Sequence, residues 1–320
     1  MSLKLKNTLK TSVSYTKSYR IAEKQYIVLG SEKEYGEIIK EILNTNFGRI
    51  TFQKCTQNTL QKLTEDVTEN CMTIIVADPE ILNNDKINLK LKKTKGITVE
   101  YLPDMAEKHF KRIPTKLLLI FEDYYNAAFS KPKKTPAYRY LDLIISLLLI
   151  ILTFPFLLFS MTYILVQDGR PIFFRQRRRG LRGNHFTLYK LRAYDDIVNE
   201  SAEVENISTK SGYLLRKYRM NELPQLFNVI IGNMSLVGPR PDDENDYQQN
   251  IGPISYYIKR YNILPGITGY AQVCFQYCNT VDEFQQRLEY DLYYLKNRSI
   301  KFYLLTLLKT GKTILSGKGK

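Results

Sequence analysis

Asn221 and Glu222 stand side by side in the run Leu215-Arg-Lys-Tyr-Arg-Met-Asn-Glu-Leu-Pro-Gln-Leu-Phe-Asn-Val229, which joins an amide and a carboxylate to Arg216 and Arg219. Asn221 is suited to cap a helix whose first turn holds Glu222, Leu223 and Pro224, because proline is tolerated where an amide would be unpaired. A helix N-terminus favours anions, so the same turn suits both the Glu222 carboxylate and a phosphoryl group. Arg240 is set between Pro239 and Pro241, which restricts its backbone in advance of binding. With Lys190, Arg192, Arg216, Arg219, Gln225 and Arg260 it forms a set of candidate phosphate or substrate ligands. Several guanidinium groups around one acid match a pyrophosphate, whose oxygens they can grip in pairs. Asp242 and Asp243 open the cluster Asp242, Asp243, Glu244 and Asp246 and are candidate ligands for a divalent cation bridging phosphates. A solvated acidic turn is the equal alternative.

Other chemistry is sparse. His109 and His185 are the only histidines, which excludes a histidine-rich metal site. His185, inside a basic stretch, reads as a phosphate or headgroup contact, and His109 as a surface residue. Cys55, Cys71, Cys274 and Cys278 are too few for a disulfide framework in 320 residues. Cys274 and Cys278 read as packing residues. Gly266 and Gly269, in Leu264-Pro-Gly-Ile-Thr-Gly-Tyr-Ala-Gln-Val273, allow a tight turn or close backbone approach to a ligand. The 47 Lys and Arg outnumber 32 Asp and Glu, a net charge of +15 that implies a polyanionic partner. At 44% hydrophobic and 25% charged residues the composition excludes wholesale disorder, and the length suggests two domains.

The elements that must position these residues follow from periodicity. Residues 26–30 read as a strand, 32–43 as a helix with apolar spacing at Tyr35, Ile38, Ile39 and Ile42, and 49–53, 72–77 and 97–102 as further strands. This predicts a small parallel α/β domain over residues 1–114. Gly30 is followed by Ser31 and Glu32, so the glycine pattern of a dinucleotide site is missing and a docking or regulatory role is expected. Residues 115–135 read as a linker ending in the basic, proline-punctuated hinge Lys131-Pro-Lys-Lys-Thr-Pro136.

Residues 141–166 are long and apolar enough to enter a bilayer, with Asp142 near one end and Pro155 just past the middle. Arginines and lysines flank the run on both sides, and both flanks therefore favour the cytoplasmic face. A break at Pro155 predicts a re-entrant helix hairpin, with Thr153 satisfying freed carbonyls; a straight transmembrane helix is the rival. From Gly169 to Arg192 there are eight Arg or Lys and no acid, interleaved with aromatics, a pattern suited to anionic membrane lipids. No nucleic-acid-binding motif accompanies the charge, so nucleic acid is not an expected partner. Residues 300–315 read either as an interfacial amphipathic helix or as a packed C-terminal helix.

Together with Phe186-Thr-Leu-Tyr-Lys-Leu-Arg192, Gly232-Asn-Met-Ser-Leu-Val-Gly-Pro-Arg-Pro241 and Arg287-Leu-Glu-Tyr-Asp-Leu-Tyr-Tyr294, these blocks resemble the bacterial sugar transferase family, the monotopic polyprenyl-phosphate phosphoglycosyl transferases, over about residues 136–320. The resemblance implies an α/β chain: a small Rossmann-like N-terminal domain, likened at Gly96-Ile-Thr-Val-Glu-Tyr-Leu-Pro-Asp104, plus a mainly helical (α+β) monotopic membrane catalytic domain with the re-entrant hairpin. It implies transfer of a sugar phosphate from a nucleotide diphosphate sugar, a UDP-sugar by expectation, to polyprenyl (undecaprenyl) phosphate. Mg²⁺ is the implied cofactor and the cytoplasmic face of the bacterial inner membrane the implied location. A homo-oligomer is a further expected partner. The larger relatives begin with a bundle of membrane helices, so the chain is expected to be a shortened form with a cytoplasmic regulatory or dimerising domain. The family pattern places an Asp nucleophile before Glu in Asp-Glu-Leu-Pro-Gln, and this chain has Asn221 there. An amide cannot serve as that nucleophile. Three alternatives follow: Glu222 or another carboxylate (Asp195, Asp196, Asp242 or Asp243) attacks, transfer is direct, or the protein is an inactive scaffold or nucleotide-sugar sensor.

Overall fold

A computed structural model describes residues 25–43, 49–54, 56, 72–94, 96–130, 136–198, 204–251, 254–275 and 280–315. The chain divides into two compact units, residues 1–78 with 86–100, and residues 79–85 with 101–320.

In the first unit β1 (Gln25–Leu29), α1 (Glu32–Leu43), β2 (Arg49–Gln53), β3 (Met72–Val76), α2 (Asp85–Lys93) and β4 (Ile97–Tyr101) alternate as the periodicity predicts. The sheet order is β2-β1-β3-β4, and β1 runs parallel to both β2 and β3. Val28, Leu29, Ile39, Ile74, Ile75 and Val76 are fully buried, as the near-continuous apolar strands of a parallel sheet require. A Cβ on Gly30 would stand 3.0 Å from the Ala77 Cβ, so this glycine serves close packing of the strand ends.

The second unit begins earlier than the expected boundary at Pro114. It takes in α3 (Leu102–Phe110), α4 (Thr115–Ile120) and α5 (Glu122–Ser130), so most of the expected linker is helical. The reason is an apolar stripe, Leu117, Leu118, Phe121, Tyr125 and Phe129, all buried. Lys296 further ties α3 to the C-terminal part by donating to Glu107 at 2.6 Å and to the Tyr124 hydroxyl at 2.7 Å. The hinge residues 131–135 lie outside the described residues.

The helix α6 (Pro136–Gln167) continues through Pro155, so the helical run is not interrupted where the sequence places a break. The Thr153 hydroxyl donates to the Leu149 carbonyl at 2.7 Å rather than replacing the bond that Pro155 cannot make to Ile151. The middle of α6 is bare: Leu147, Leu148, Ile151, Leu152, Phe156 and Phe159 are each more than half exposed. A core helix of a soluble protein does not look like this, and among the described residues α6 is one helix long and apolar enough to cross a membrane.

Both ends of α6 are fastened to the second unit. At the start, Arg139 donates to the Val229 and Ile230 carbonyls at 2.5 and 2.7 Å. One oxygen of Asp142, a residue 1% exposed, accepts from the Ser235 hydroxyl (2.9 Å), the Leu236 amide (2.8 Å) and the Tyr303 hydroxyl (2.7 Å). At the other end Ile164 packs with Leu191 and Leu215, joined by Leu157, Met161 and Met220. Asp168 accepts from the Ser211 hydroxyl and, at 3.3 Å, from its amide.

Besides several short helical turns, the unit holds β5 (Phe173–Arg179), β6 (His185–Leu191), β7 (Tyr194–Val198), β8 (Val204–Ser208), α7 (Gly212–Lys217), α8 (Gln225–Ile231), β9 (Ser235–Val237), β10 (Asp242–Asp243), β11 (Gly266–Thr268), α9 (Tyr270–Cys274), α10 (Val281–Asn297) and α11 (Ile300–Leu315). β5 and β6 form an antiparallel hairpin with β10 added at its edge, and β9 runs parallel to β11. The close approach expected near Gly266 is made by the chain itself: a Cβ there would lie 2.1 Å from the Gly238 amide. Cys274 is exposed rather than packed, and Cys278 lies outside the described residues. His109 is exposed. α11 buries Tyr303 and Thr306 while leaving Leu304, Leu305 and Leu308 exposed, so it is packed on one side and apolar on another.

The fastening of α6 has a testable energetic consequence. Asp142→Ala leaves the Ser235, Leu236 and Tyr303 donors without their acceptor, and we expect a loss of about 3 kcal/mol or more in detergent-solubilised protein. Asp142→Asn, which keeps an acceptor oxygen, should lose only about 1 kcal/mol. Chemical unfolding measures both, and equal losses for the two variants would contradict the assignment.

Candidate active site

The cleft is built on the β5–β6 hairpin. Phe174 pairs with Lys190, Gln176 with Leu188 and Arg178 with Phe186. Because a strand alternates faces, Phe174, Gln176, Arg178 and Lys190 share one side of the hairpin. These four residues line a cleft of about 430 Å³ together with Pro171, Phe173, Arg192, Tyr194 and Asn221. Asn228 holds the hairpin in place: its side-chain oxygen accepts from the Tyr189 amide at 3.2 Å and its amide donates to the Thr187 carbonyl at 2.7 Å. An asparagine within the apolar helix α8 signals such a role, since a buried amide needs backbone partners.

Asn221 reaches the cleft by a turn that differs from the expected helix cap. Met220–Glu222 form a 3₁₀ turn preceded by Arg219 at φ 54°, and α8 starts only after Pro224. Asn221 therefore caps no helix and lines the cleft instead. The turn is closed by the Glu222 amide on the Arg219 carbonyl at 3.1 Å and the Leu223 amide on the Met220 carbonyl at 3.2 Å. It brings the Glu222 carboxylate to 3.6 Å from the Arg219 guanidinium.

Lys190 is half-buried within this group. Burial, followed by the charges of Arg240, Arg178 and Arg219, pushes its amine down to about 8, and the Glu222 carboxylate opposes the change. This electrostatic coupling joins the hairpin, the 3₁₀ turn and the Pro-Arg-Pro segment. Arg216 sits at the rim, its guanidinium 4.4 Å from the centre of the Tyr194 ring and bonded to the Tyr194 hydroxyl.

Other candidates are placed differently. Arg192 lines the cleft, but its guanidinium is also bonded to the carbonyls of Asp168, Gly169 and Arg170, strapping down the segment that leaves α6. Gln225 is only 4% exposed, in the first turn of α8. Arg260 is corrected from phosphate ligand to core residue: it is 1% exposed and bonded to Asp242, Asp291 and the Arg240 carbonyl. His185 faces the Glu244 carboxylate at 2.8 Å. The side chains of Asp195 and Asp196, on β7, lie outside the described residues.

The cation pair expected at Asp242 and Asp243 does not fit this structure. Neighbouring residues of a strand face opposite ways, and both Asp242 oxygens are taken by Arg260, Arg287, Tyr257 and Tyr261. Asp243 accepts from Gln176 on one oxygen and from the Asn245 amide at 2.9 Å on the other. Among the described residues no group of three or more His, Cys, Asp or Glu is arranged to hold a metal. What the cleft offers is positive charge at short range beside one carboxylate, a setting for phosphate oxygens. Gln176, Arg178 and Tyr194 belong to it and were not singled out from sequence; the alternation of β5 was the available signal.

The bacterial sugar transferase pattern matches residues 133–317. The chain is 31% identical over 228 residues to the UDP-N-acetylgalactosamine-undecaprenyl-phosphate N-acetylgalactosaminephosphotransferase of Aeromonas hydrophila, covering 70% of this chain and 53% of that protein. It is 37% identical over 179 residues to the UDP-glucose:undecaprenyl-phosphate glucose-1-phosphate transferase of Klebsiella pneumoniae, covering 52% of this chain and 38% of that protein. It is also 35% identical to the uncharacterized sugar transferase EpsL of Bacillus subtilis, over 57% of this chain and 88% of that one. The match thus spans about half or less of the length of the first two relatives. With the family pattern extending over more than half of its residues, the chain belongs to the bacterial sugar transferase family.

Proposed function

We propose that the chain transfers a sugar 1-phosphate from a UDP-sugar to undecaprenyl phosphate, releasing UMP and leaving a lipid diphosphate sugar that primes capsule or exopolysaccharide synthesis. The observation that supports this most is the meeting of Lys190, Arg178 and Asn221 in one cleft whose apolar wall, Pro171, Phe173 and Phe174, follows directly on α6. In this reading Lys190, Arg178, Arg219 and Arg240 hold the diphosphate, and the apolar wall takes the first part of the polyprenyl chain. The Asn221 amide donates to a phosphate oxygen. The bond from the sugar-bearing phosphorus to the bridging oxygen breaks, and UMP leaves with the electron pair. The new bond to that phosphorus comes from the acceptor phosphate oxygen, either directly or after the Glu222 carboxylate has first taken the phosphosugar. Asp242 is committed to the core and in this proposal holds no magnesium.

We read α6 as re-entrant, with the catalytic unit at the cytoplasmic face of the inner membrane. The attachment of both its ends to one unit supports this, as do the basic flanks on either side. The parallel-sheet unit is in this proposal a Rossmann-like docking or regulatory module.

Purified protein, undecaprenyl phosphate, Mg²⁺ and a panel of UDP-sugars should release UMP with at least one donor; silence with every donor would favour an inactive scaffold. Glu222→Gln should lower the rate by about 10²-fold or more if the carboxylate acts in chemistry. Trapping of a phosphosugar peptide separates the covalent route from the direct one.

The same assay tests Lys190 through pH. In the free enzyme its amine loses the proton as pH rises through about 8, so kcat/KM for the donor should fall above that pH. Lys190→Arg, which stays charged, should carry the plateau to higher pH, and an unchanged alkaline limb in that variant would exclude Lys190 as its source. For topology, cysteines placed on the two flanks of α6 should both be labelled from the cytoplasmic side only; a periplasmic label on either contradicts the re-entrant reading.

A further inference from the structure

We propose that Asp291, a residue of α10 that lines no part of the cleft, positions the cleft wall by acting through Arg260 and the two-residue strand β10. The inference rests on the transferase reading for its activity measurement, and on geometry alone for its path.

The path starts at the cleft. Gln176 and Arg178 form part of its wall. Gln176 donates to Asp243, and Arg178 lies 3.4 Å from the same carboxylate oxygen. Arg178 also donates to the Gln176 side-chain oxygen at 3.0 Å through Nε, so the two side chains and Asp243 form one unit. Asp243 therefore sets where both wall residues point.

β10 is too short to hold its own register. It contributes two residues, opposite Arg179 and Arg178 of β5. Its other residue, Asp242, faces the interior, where it is 3% exposed. There it meets Arg260, Arg287 (2.8 Å), Tyr257 (2.9 Å) and Tyr261 (2.8 Å). Arg260 is the hub: one guanidinium nitrogen bonds Asp242, and the other donates to the Arg240 carbonyl at 2.9 Å and to Asp291 at 2.8 Å. One amino group thus joins the Pro239-Arg240-Pro241 backbone to α10.

Charge explains why Asp291 matters. The buried group holds two arginines and two aspartates, so its formal charge is balanced. Asp291 is 2% exposed and Arg260 1%. Removing one partner from a buried ionic group leaves an uncompensated charge in a poorly solvating interior. With Asp291 neutral, two guanidinium groups share Asp242 alone, and the strand carrying Asp243 is the part free to shift. A displacement of about 1 Å in a positioning group can cost about 10²-fold in rate.

Asp291→Asn keeps the side-chain shape and removes the charge. We expect it to lower kcat/KM for UMP release by about 10- to 100-fold while circular dichroism and thermal unfolding show a folded protein at the assay temperature. The deciding measurement is a double-mutant cycle with Asp243→Asn. If Asp291 acts through β10, then in the Asp243→Asn background its replacement should add less than about threefold. Multiplicative losses, or wild-type activity in Asp291→Asn, would overturn the proposal. Should Asp291→Asn not fold, Tyr257→Phe removes only the hydroxyl that donates to Asp242, and the same cycle is run with it. UDP affinity, measured by calorimetry across the same four proteins, gives a readout that needs no turnover. A wild-type protein that binds UDP but releases no UMP refutes the transferase reading, whereas additive changes in UDP affinity across the cycle refute the path from Asp291.

Discussion

The second unit must hold a long bare helix by its two ends. The middle of α6 gives the folded unit little to pack on, since most of its large side chains face outward. The attachment must therefore come from its termini. At the first end a single buried carboxylate, Asp142, gathers donors from β9 and α11, elements far apart in sequence. At the second end the contact is apolar, with Ile164 against Leu191 and Leu215. The two kinds of attachment have different consequences. A buried carboxylate with three directed bonds fixes orientation, whereas an apolar cluster fixes proximity without direction. The second end lies where α6 leads into the cleft, because Leu191 belongs both to that cluster and to the cleft lining.

The same unit treats its cations in two ways. In the core Arg260 and Arg287 are matched by Asp242 and Asp291, and tyrosine hydroxyls complete the bonding. Burial raises Asp291, while for Asp242 the two guanidinium groups outweigh burial and hold the carboxyl below its ordinary value. Around the cleft Arg178, Arg219 and Arg240 act on Lys190, with Glu222 as the opposing charge. Burial depresses the Lys190 amine first, and the neighbouring guanidinium groups add to this against the pull of Glu222. The core network neutralises its own arginines, whereas the cations of the cleft have only Glu222 set against them.

Within the first unit sequence periodicity locates the short elements, though not the limit of the unit. The helix at 32–43 and the strand at 49–53 have the expected limits because each is a short element with an uninterrupted apolar pattern. Periodicity does not group Asn221, Lys190 and Arg240; residue chemistry and the family resemblance do, and in the structure Lys190 and Asn221 line one cleft while Arg240 acts on Lys190 through its charge. That grouping failed for Arg260 and Asp242, since residue type shows that an arginine can bind phosphate and an acid a metal, but not that the two satisfy each other. Only the alternation within β10, which sends Asp242 inward and Asp243 toward β5, separates their fates. The cap expected at Asn221 failed for a local reason: Arg219 takes a left-handed conformation that tightens the chain into a 3₁₀ turn before the helix begins. The apolar, aromatic stretch from Leu117 to Phe129 is legible in the sequence, but not that its side chains are buried as part of the second unit.

The turn at Arg219 bears on how an amide can occupy the centre of such a cleft. A non-glycine residue at φ 54° is uncommon and carries a backbone penalty. Here the penalty is offset by the two bonds of the turn and by the approach of Glu222 to the Arg219 guanidinium. The result sends consecutive side chains different ways, Asn221 into the cleft and Glu222 against Arg219. An aspartate at 221 would add a negative charge to the cleft lining, whereas the amide presents a donor there without charge. The amide thus suits binding, and the carboxylate beside it, tethered to an arginine yet electrostatically felt by Lys190, is the group whose charge is already matched to the cations of the cleft.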